Sequence, residues 1–231
     1  IAGIGDITLE TARAAGASPL TGEHVIVTAG ATAEPIDPVR VLTSRASGKT
    51  GRAVARACYA RGADVTLVHG KGRTDPDVSW ADFSPVGTAT EMIAAVESAL
   101  GDADALVSAA AIGDYTVDAE GEKIRSGRDD VSLSLRPTPK LIDRVRTERP
   151  DLPIVGFKTE TGGDDESMIA EARRILDRAD LSFVVANDAS VMGRDETRGL
   201  FVRPGDETVF EGSKDALGAA VAEGIAEDVG G

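Results

Sequence analysis

His24-Val25-Ile26-Val27-Thr28-Ala29-Gly30-Ala31-Thr32 decides the fold: a short apolar run that reads as a buried strand, then a turn of small residues at its carboxyl end. A Pro-bracketed loop follows, Glu34-Pro35-Ile36-Asp37-Pro38-Val39-Arg40, and after it Ser44-Arg45-Ala46-Ser47-Gly48-Lys49-Thr50-Gly51. That last piece opens a helix with apolar residues at Val54, Ala57, Cys58 and Ala60, closed by Gly62 as a C-cap. Glycines and hydroxyls ahead of a helix let backbone N–H groups converge on a phosphate, and the helix dipole favours the same charge. Strand, wide loop and anion-ready helix start together read as a nucleotide or phosphate site. Thr43 stands where a P-loop needs its first glycine, and Gly-x-Gly-x-x-Gly is missing after Thr28. For Ser47–Gly51 taken alone, a plain helix cap therefore stays open beside the phosphate reading.

The 231 residues, 42% of them hydrophobic, suffice for one large core or a core with a small subdomain. No apolar run approaches ~18 residues, so no membrane span is expected. A single cysteine excludes an internal disulfide and a multi-cysteine metal site, and Cys58 reads as a packed core thiol. His24 and His69 flank strands without metal spacing and read as structural; no metal site is expected. A net charge of -14 argues against nucleic acid or an anionic membrane surface as partner. Only Lys49, Lys71, Lys123, Lys140, Lys158 and Lys214 are lysines, the other basic residues being arginine. A carboxylate-rich, lysine-poor chain fits a halophile, whose salt-loaded cytoplasm screens self-repulsion. The sequence starts at Ile1 without a methionine. Residues 1–22 read as a helix from Ile7 to Ala15 and a Gly/Ser/Pro linker, the tail of an upstream domain, with the main domain at 23–231.

Along the rest of the chain, strands and helices alternate as in a parallel α/β sheet. Ala63–Gly70 reads as a strand, Gly70–Asp77 as a polar loop, Val78–Val86 as containing a short strand, Thr90–Leu100 as a helix and Asp104–Ala111 as a strand. The rhythm breaks between Ile112 and Pro139, where a charged loop around Glu122 precedes the clean alternation Val131-Ser132-Leu133-Ser134-Leu135, read as a half-exposed strand of an antiparallel flap or dimer arm. Thr138-Pro139 caps a helix through Leu141, Ile142 and Val145. Strands at 153–157 and 183–188, a helix at 167–179, a pair at 200–202 and 208–210 and a last helix from Ser213 complete the chain. Ligands of open α/β sheets bind beyond the strands' carboxyl ends. Those ends carry Gly30, Ala110-Ala111 with Asp114, Gly156-Phe157-Lys158 and Asn187-Asp188, expected to converge with Ser47–Gly51 on one crevice where Phe157 stacks a base.

With these residues in hand, the sequence resembles the phosphopantothenate–cysteine ligase family, the ligase half of the bifunctional coenzyme A biosynthesis protein. The motifs are Thr28-Ala29-Gly30-Ala31-Thr32-x-Glu34-Pro35-Ile36-Asp37-Pro38-Val39-Arg40, Ser47-Gly48-Lys49-x-Gly51, Ala109-Ala110-Ala111-x-x-Asp114-Tyr115, Glu122-Lys123-Ile124, Gly156-Phe157-x-x-Glu160-Thr161 and Ala186-Asn187-Asp188. The resemblance implies a Rossmann-like, three-layer α/β fold with a mostly parallel sheet and an antiparallel flap or dimerisation arm. It also implies a cytoplasmic homodimer, in some members fused to or associated with an upstream FMN-dependent decarboxylase. The implied reaction activates 4'-phosphopantothenate with CTP (or ATP) carrying Mg2+, releases pyrophosphate, and lets the amine of L-cysteine displace the nucleotide.

By motif match, nucleotide contacts fall on Gly30, Ser47, Gly48, Gly51, Ser108, Ala109, Ala110, Asp114, Phe157 and Asn187, and on the turn Pro139-Lys140-Leu141-Ile142. Lys123 matches the catalytic lysine, whose charge balances the α-phosphate and attacking carboxylate. Arg40 is expected to reach phosphopantothenate from the neighbouring subunit, with Ala110, Ala111 and Asp114 also at the substrate. Ser44 stands where members carry an Asn that acts on the acyl-nucleotide, and Arg173 or Arg178 where they carry helical lysines. Two other classes compete: a nicotinamide-binding reductase, whose glycine pattern is absent and whose Tyr lacks a Lys four residues after Tyr115, and a non-catalytic nucleotide-binding module.

Overall fold

The computed structural model describes residues 4–71, 78–127, 130–160, 162, 164–188 and 196–230. Strands β1 (His24–Ala29), β4 (Asp64–Gly70), β5 (Asp82–Val86), β6 (Ala105–Ser108), β9 (Ile154–Glu160) and β10 (Phe183–Asp188) run parallel in one sheet. The antiparallel hairpin β11 (Glu196–Arg203) and β12 (Asp206–Ser213) extends it, giving the order β12-β11-β10-β9-β6-β1-β4-β5. The central parallel strands read as near-continuous apolar runs because helices cover both faces of the sheet. Val25, Val27, Leu67 and Val107 face one helical layer, α2 (Lys49–Ala60) with α6 (Lys214–Val229). Ile26, Val68, Leu106 and Val184 face the other, α3 (Ala89–Ala99), α4 (Leu141–Glu148) and α5 (Asp165–Ala179). This is the parallel α/β sheet expected from the alternating pattern, in the three-layer Rossmann-like arrangement that the resemblance implies.

The chain winds outward from β1 through β4 to β5, then returns to lay β6 on β1's other side. The strand order therefore reverses between β1 and β6, the place where open α/β sheets open a crevice.

Several local readings change. Residues 34–40, read as a loop, belong to a hairpin of β2 (Ala33–Asp37) and β3 (Arg40–Thr43). Pro35 is tolerated because the two strands form their own small sheet, where every strand is an edge. The alternation at 131–135 does not make a strand over its length: only Leu135 belongs to one, β8 (Leu135–Pro137), which pairs with β7 (Tyr115–Val117). Val131 and Leu133 precede this two-stranded sheet and Leu135 opens it, and all three stay exposed. The strand expected within 78–86 is confined to β5. Most of the polar loop ending at Asp77, and motif residue Thr161, lie outside the described residues.

The segment read as a linker packs on the domain. Helix α1 (Ile4–Ala15) buries Leu9, and the following turn buries Leu20 completely. Arg13 donates to the carbonyls of Tyr59 and Ala63 at 2.6 and 2.7 Å and lies over the Tyr59 ring. Cys58 is wholly buried between α2 and the sheet, and burial pushes its thiol up to about 12. It is a core residue, as read. Among the described residues, no helix is long and apolar enough to cross a membrane.

Candidate functional site

Where β1 and β6 part, a cavity of about 340 Å³ opens, lined by the Ser44–Gly51 segment, by Gly30 after β1, by Ala109–Ile112 and Asp114 after β6, by Phe157–Thr159, by Asn187, and by Thr197, Lys214 and Leu217. The separate strand ends anticipated to converge do so here. One wall is the start of α2. Its N-cap is Gly48 at φ 73°, which offers no side chain to the first-turn amides, and Gly48, Lys49, Thr50 and Gly51 all line the cavity. A Cβ at Gly48 would stand 2.7 Å from the Gly30 nitrogen and 2.7 Å from His69 Nε2, so only glycine lets the loop lie on the strand end. Gly51 has the same role one turn on: a Cβ there would meet Ala29 Cβ at 2.6 Å and the Thr28 carbonyl at 2.9 Å.

His69 holds this floor from below. Its Nδ1 lies 2.7 Å from the Gly70 carbonyl and its Nε2 2.9 Å from Arg52 Nη1, an arrangement that makes Nδ1 the donor and Nε2 the acceptor in a neutral ring. Arg52 also donates to the Ser47 carbonyl at 2.9 Å, so the histidine orients a cation that braces the loop. The opposite wall hangs on Thr28. Its hydroxyl accepts from the N–H groups of Ala109 and Ala110, both at 3.2 Å, and fixes the small-residue turn against β1. Thr32 accepts from Gly113 N–H at 2.8 Å and continues the seam.

The structure splits the expected site residues into three groups. Gly30, Ser44, Ser47, Gly48, Gly51, Ala109, Ala110, Ala111, Asp114, Phe157 and Asn187 line the cavity. Ser108 ends β6 directly beneath it, and Lys140 forms an ion pair with Asp114 that brings the Pro139-Lys140 turn to its edge. Leu141 and Ile142 of that turn pack into the core behind it. Lys123, Arg40 and Arg173 do not line the cavity. Arg173 pairs with Glu207, bridging α5 and β12, while Arg178 pairs with Asp143 at 2.8 Å.

Arg40 and the Lys123 loop are joined through Asp37. The buried Asp37 carboxylate accepts from the N–H groups of Val39 at 2.9 Å, Arg40 at 2.8 Å and Ile124 at 3.0 Å, and from Arg40 Nε at 2.9 Å. Burial alone raises its pKa, but these bonds and the guanidinium outweigh that and hold it down at about 2. Arg40 also donates to the Ile124 carbonyl, so Asp37 and Arg40 together clasp the segment that presents the exposed Lys123. Glu34, equally buried, accepts from Ala89 N–H at 2.8 Å at the start of α3. The acidic residues of the Pro-rich motif thus hold backbone in place.

Lys158 lines the cavity as its strand end led one to expect, whereas sequence reasoning missed Thr197 and Lys214. Both are brought in by the β11–β12 hairpin, which no local pattern places. Lys49, Lys158 and Lys214, half of the chain's six lysines, line this one cavity. Lys158 is ion-paired with Glu160 at 3.0 Å, and Asp114 shares the wall, so the cavity gathers charged groups of both signs.

Residues 20–229 match the model of the DNA/pantothenate metabolism flavoprotein C-terminal domain. The coenzyme A biosynthesis bifunctional protein CoaBC of Thermococcus kodakarensis is 41% identical over 205 residues, covering 87% of this chain and 50% of that protein. Its namesake from Bacillus subtilis is 34% identical over 177 residues, covering 76% and 43%. The chain thus spans about half the length of these relatives. Among solved structures, the C-terminal domain of a CoaBC superposes with a TM-score of 0.73 at 25% identity, covering 91% of this chain and 97% of that one. A DNA/pantothenate metabolism flavoprotein from Streptococcus pneumoniae gives a TM-score of 0.79 at 22% identity, over 89% and 98%, and shares the fold.

Proposed function

Because the chain belongs to the family of the DNA/pantothenate metabolism flavoprotein C-terminal domain, we propose that it is the ligase half of a coenzyme A biosynthesis protein. It joins 4'-phosphopantothenate to L-cysteine through an acyl-nucleotide. The observation that carries this reading is the uncapped, glycine-bounded start of α2 facing the Ala109–Ala111 turn and Phe157 across one lysine-lined cavity. That arrangement suits a nucleoside triphosphate: amides and lysines for phosphate, an aromatic face for a base, small residues for close approach.

In the first step the phosphopantothenate carboxylate attacks the α-phosphorus of CTP, brought with Mg2+, and pyrophosphate leaves. In the second the cysteine amine attacks the acyl carbon, the amide forms, a proton is lost and CMP departs. The chain's contribution is to hold the phosphates and neutralise charge as it shifts between oxygens. Ser44, on the cavity wall, is assigned to the acyl carbonyl, its hydroxyl donating where the family's Asn amide would and a water filling the shorter reach.

Lys123 and Arg40 stand outside the cavity of their own chain, clasped together by Asp37. Val39, Val41 and Leu42 of the β2–β3 hairpin and Tyr115, Leu133 and Leu135 of the flap expose a run of apolar side chains beside them. In a homodimer that covers these side chains, Arg40 would reach the phosphopantothenate of the neighbouring subunit, as the resemblance implies, and Lys123 would serve as the catalytic lysine. Residues 23–231 form the ligase domain in this reading, with 1–22 leading from an upstream, FMN-dependent decarboxylase.

The test is to supply phosphopantothenate, cysteine and either CTP or ATP and to assay pyrophosphate and the amide product. Both are expected, with CTP preferred. Absence of both products with every nucleotide, at low and high salt alike, overturns the ligase reading. Release of carbon dioxide from phosphopantothenoylcysteine with added FMN would instead place the chain at the decarboxylase step, the chemistry that the word flavoprotein in the family's description carries.

A further inference from the structure

We infer that His69 is a positioning residue for nucleotide binding, acting through Arg52 to aim the Gly48 N–H at a phosphate of the ligand; this rests on the nucleotide reading of the cavity. His69 is the penultimate residue of β4 and only 4% exposed. A buried imidazole is costly unless its ring nitrogens are hydrogen-bonded. Here both partners have fixed roles. A guanidinium only donates and a carbonyl only accepts, so Nε2 accepts from Arg52 Nη1 at 2.9 Å and Nδ1 donates to the Gly70 carbonyl at 2.7 Å. Arg52 Nη1 carries two hydrogens, and it also donates to the Ser47 carbonyl at 2.9 Å. One guanidinium nitrogen therefore ties the end of β4 to the loop ahead of α2.

What this bridge fixes is a peptide plane. In a trans peptide the carbonyl and the N–H that follows it point in opposite directions. Arg52 lies on the far side of the loop, lining the space beside α1 rather than the nucleotide cavity. Holding the Ser47 carbonyl towards Arg52 therefore turns the Gly48 N–H the other way, and Ser47 and Gly48 both line the cavity. The ring is held in place as firmly as the loop. A Cβ on Gly30 would stand 2.9 Å from His69 Cε1, and the Phe83 ring tilts against the imidazole with centroids 6.3 Å apart. The Gly48 donor is thus set before a ligand arrives, which spares the cost of ordering it on binding. Without the bridge the peptide would be free to turn over and present a carbonyl, an acceptor, to an anion. Arg52 does not line the cavity and His69 belongs to another element, so no motif of the loop assigns either residue a part in binding.

Equilibrium binding of CTP, without phosphopantothenate or cysteine, tests this in Arg52→Met, His69→Leu, the double variant and His69→Gln. Each of the first two is expected to weaken CTP binding about tenfold, the usual worth of a hydrogen bond to a charged group. The double variant is expected to lose no more than either alone, because both changes break one bridge. His69→Gln keeps an acceptor for Arg52 and is expected to bind CTP nearly as the parent does. Losses that multiply to about a hundredfold in the double variant overturn the relay, since they mark two independent effects. Parental affinity in Arg52→Met overturns it too, and so does a His69→Gln that binds as weakly as Arg52→Met, which would mark a packing role for the ring. Those last two measurements decide the matter even if His69→Leu does not fold. A parent chain that binds no nucleoside triphosphate would instead sink the nucleotide reading, and the relay with it. A chain whose CTP affinity follows the relay yet forms no amide would leave the relay standing and remove only the ligase reading.

Discussion

At the residue scale, the motifs mix two kinds of position that a sequence cannot separate. Glu34, Asp37 and Thr28 look like reactive groups, yet each accepts from backbone N–H groups, and Asp37 from the Arg40 guanidinium as well. Gly51 looks like a loop glycine and is a packing constraint. Gly51→Ala is expected to push α2 off β1, lowering stability by about 1–3 kcal/mol as overpacked sites do and weakening CTP binding at the same time. A calorimetric melting temperature and CTP affinity both equal to the parent's would show that the loop absorbs the methyl group. Ser44, by contrast, sits on the cavity wall. Ser44→Ala is expected to leave first-turnover pyrophosphate release fast while the acyl-nucleotide accumulates, observed by rapid quench. Turnover at the parental rate with no trapped intermediate would leave the position without chemistry.

Elements were legible where periodicity alone decides. The apolar runs at 25–29 and 183–186 could only be buried strands, and the mostly parallel sheet followed from their alternation with helices. The hairpin at 33–43 was not legible, because two prolines in seven residues mimic a loop when the strands belong to no larger sheet. Lys214 was missed for a related reason: its place depends on strand order. The same hairpin carries a pH dependence. The Asp37 carboxyl titrates at about 2 in the folded chain against an ordinary 3.8, so the unfolded chain binds the extra proton first. Its stabilising contribution is fully present above pH ~4 and is lost as the pH falls towards 2. Asp37→Asn is expected to be less stable than the parent at neutral pH, with the gap closing over that acid window. A stability difference between the two that stays constant from pH 5 to 2 by chemical denaturation, in matched salt (~1 M), would contradict the clasp.

For the whole molecule, charge is the first variable. With 39 acidic against 25 basic residues, self-repulsion opposes the compact state at low ionic strength. The melting temperature is expected to rise steeply on going to ~2 M KCl, where the screening length falls to a few Å; an unchanged value would remove the halophile reading. Three of the six lysines line the cavity at the reversal of strand order, where the proposed chemistry takes place. That chemistry is tested most directly by following oxygen. With 4'-phosphopantothenate labelled with 18O in its carboxylate, attack on the α-phosphorus of CTP leaves one carboxylate oxygen bridging carbon and phosphorus. The cysteine amine then breaks the carbon–oxygen bond. Mass spectrometry is expected to find one 18O in CMP and none in pyrophosphate. Amide product accompanied by unlabelled CMP, or label in released phosphate, would contradict the acyl-nucleotide route.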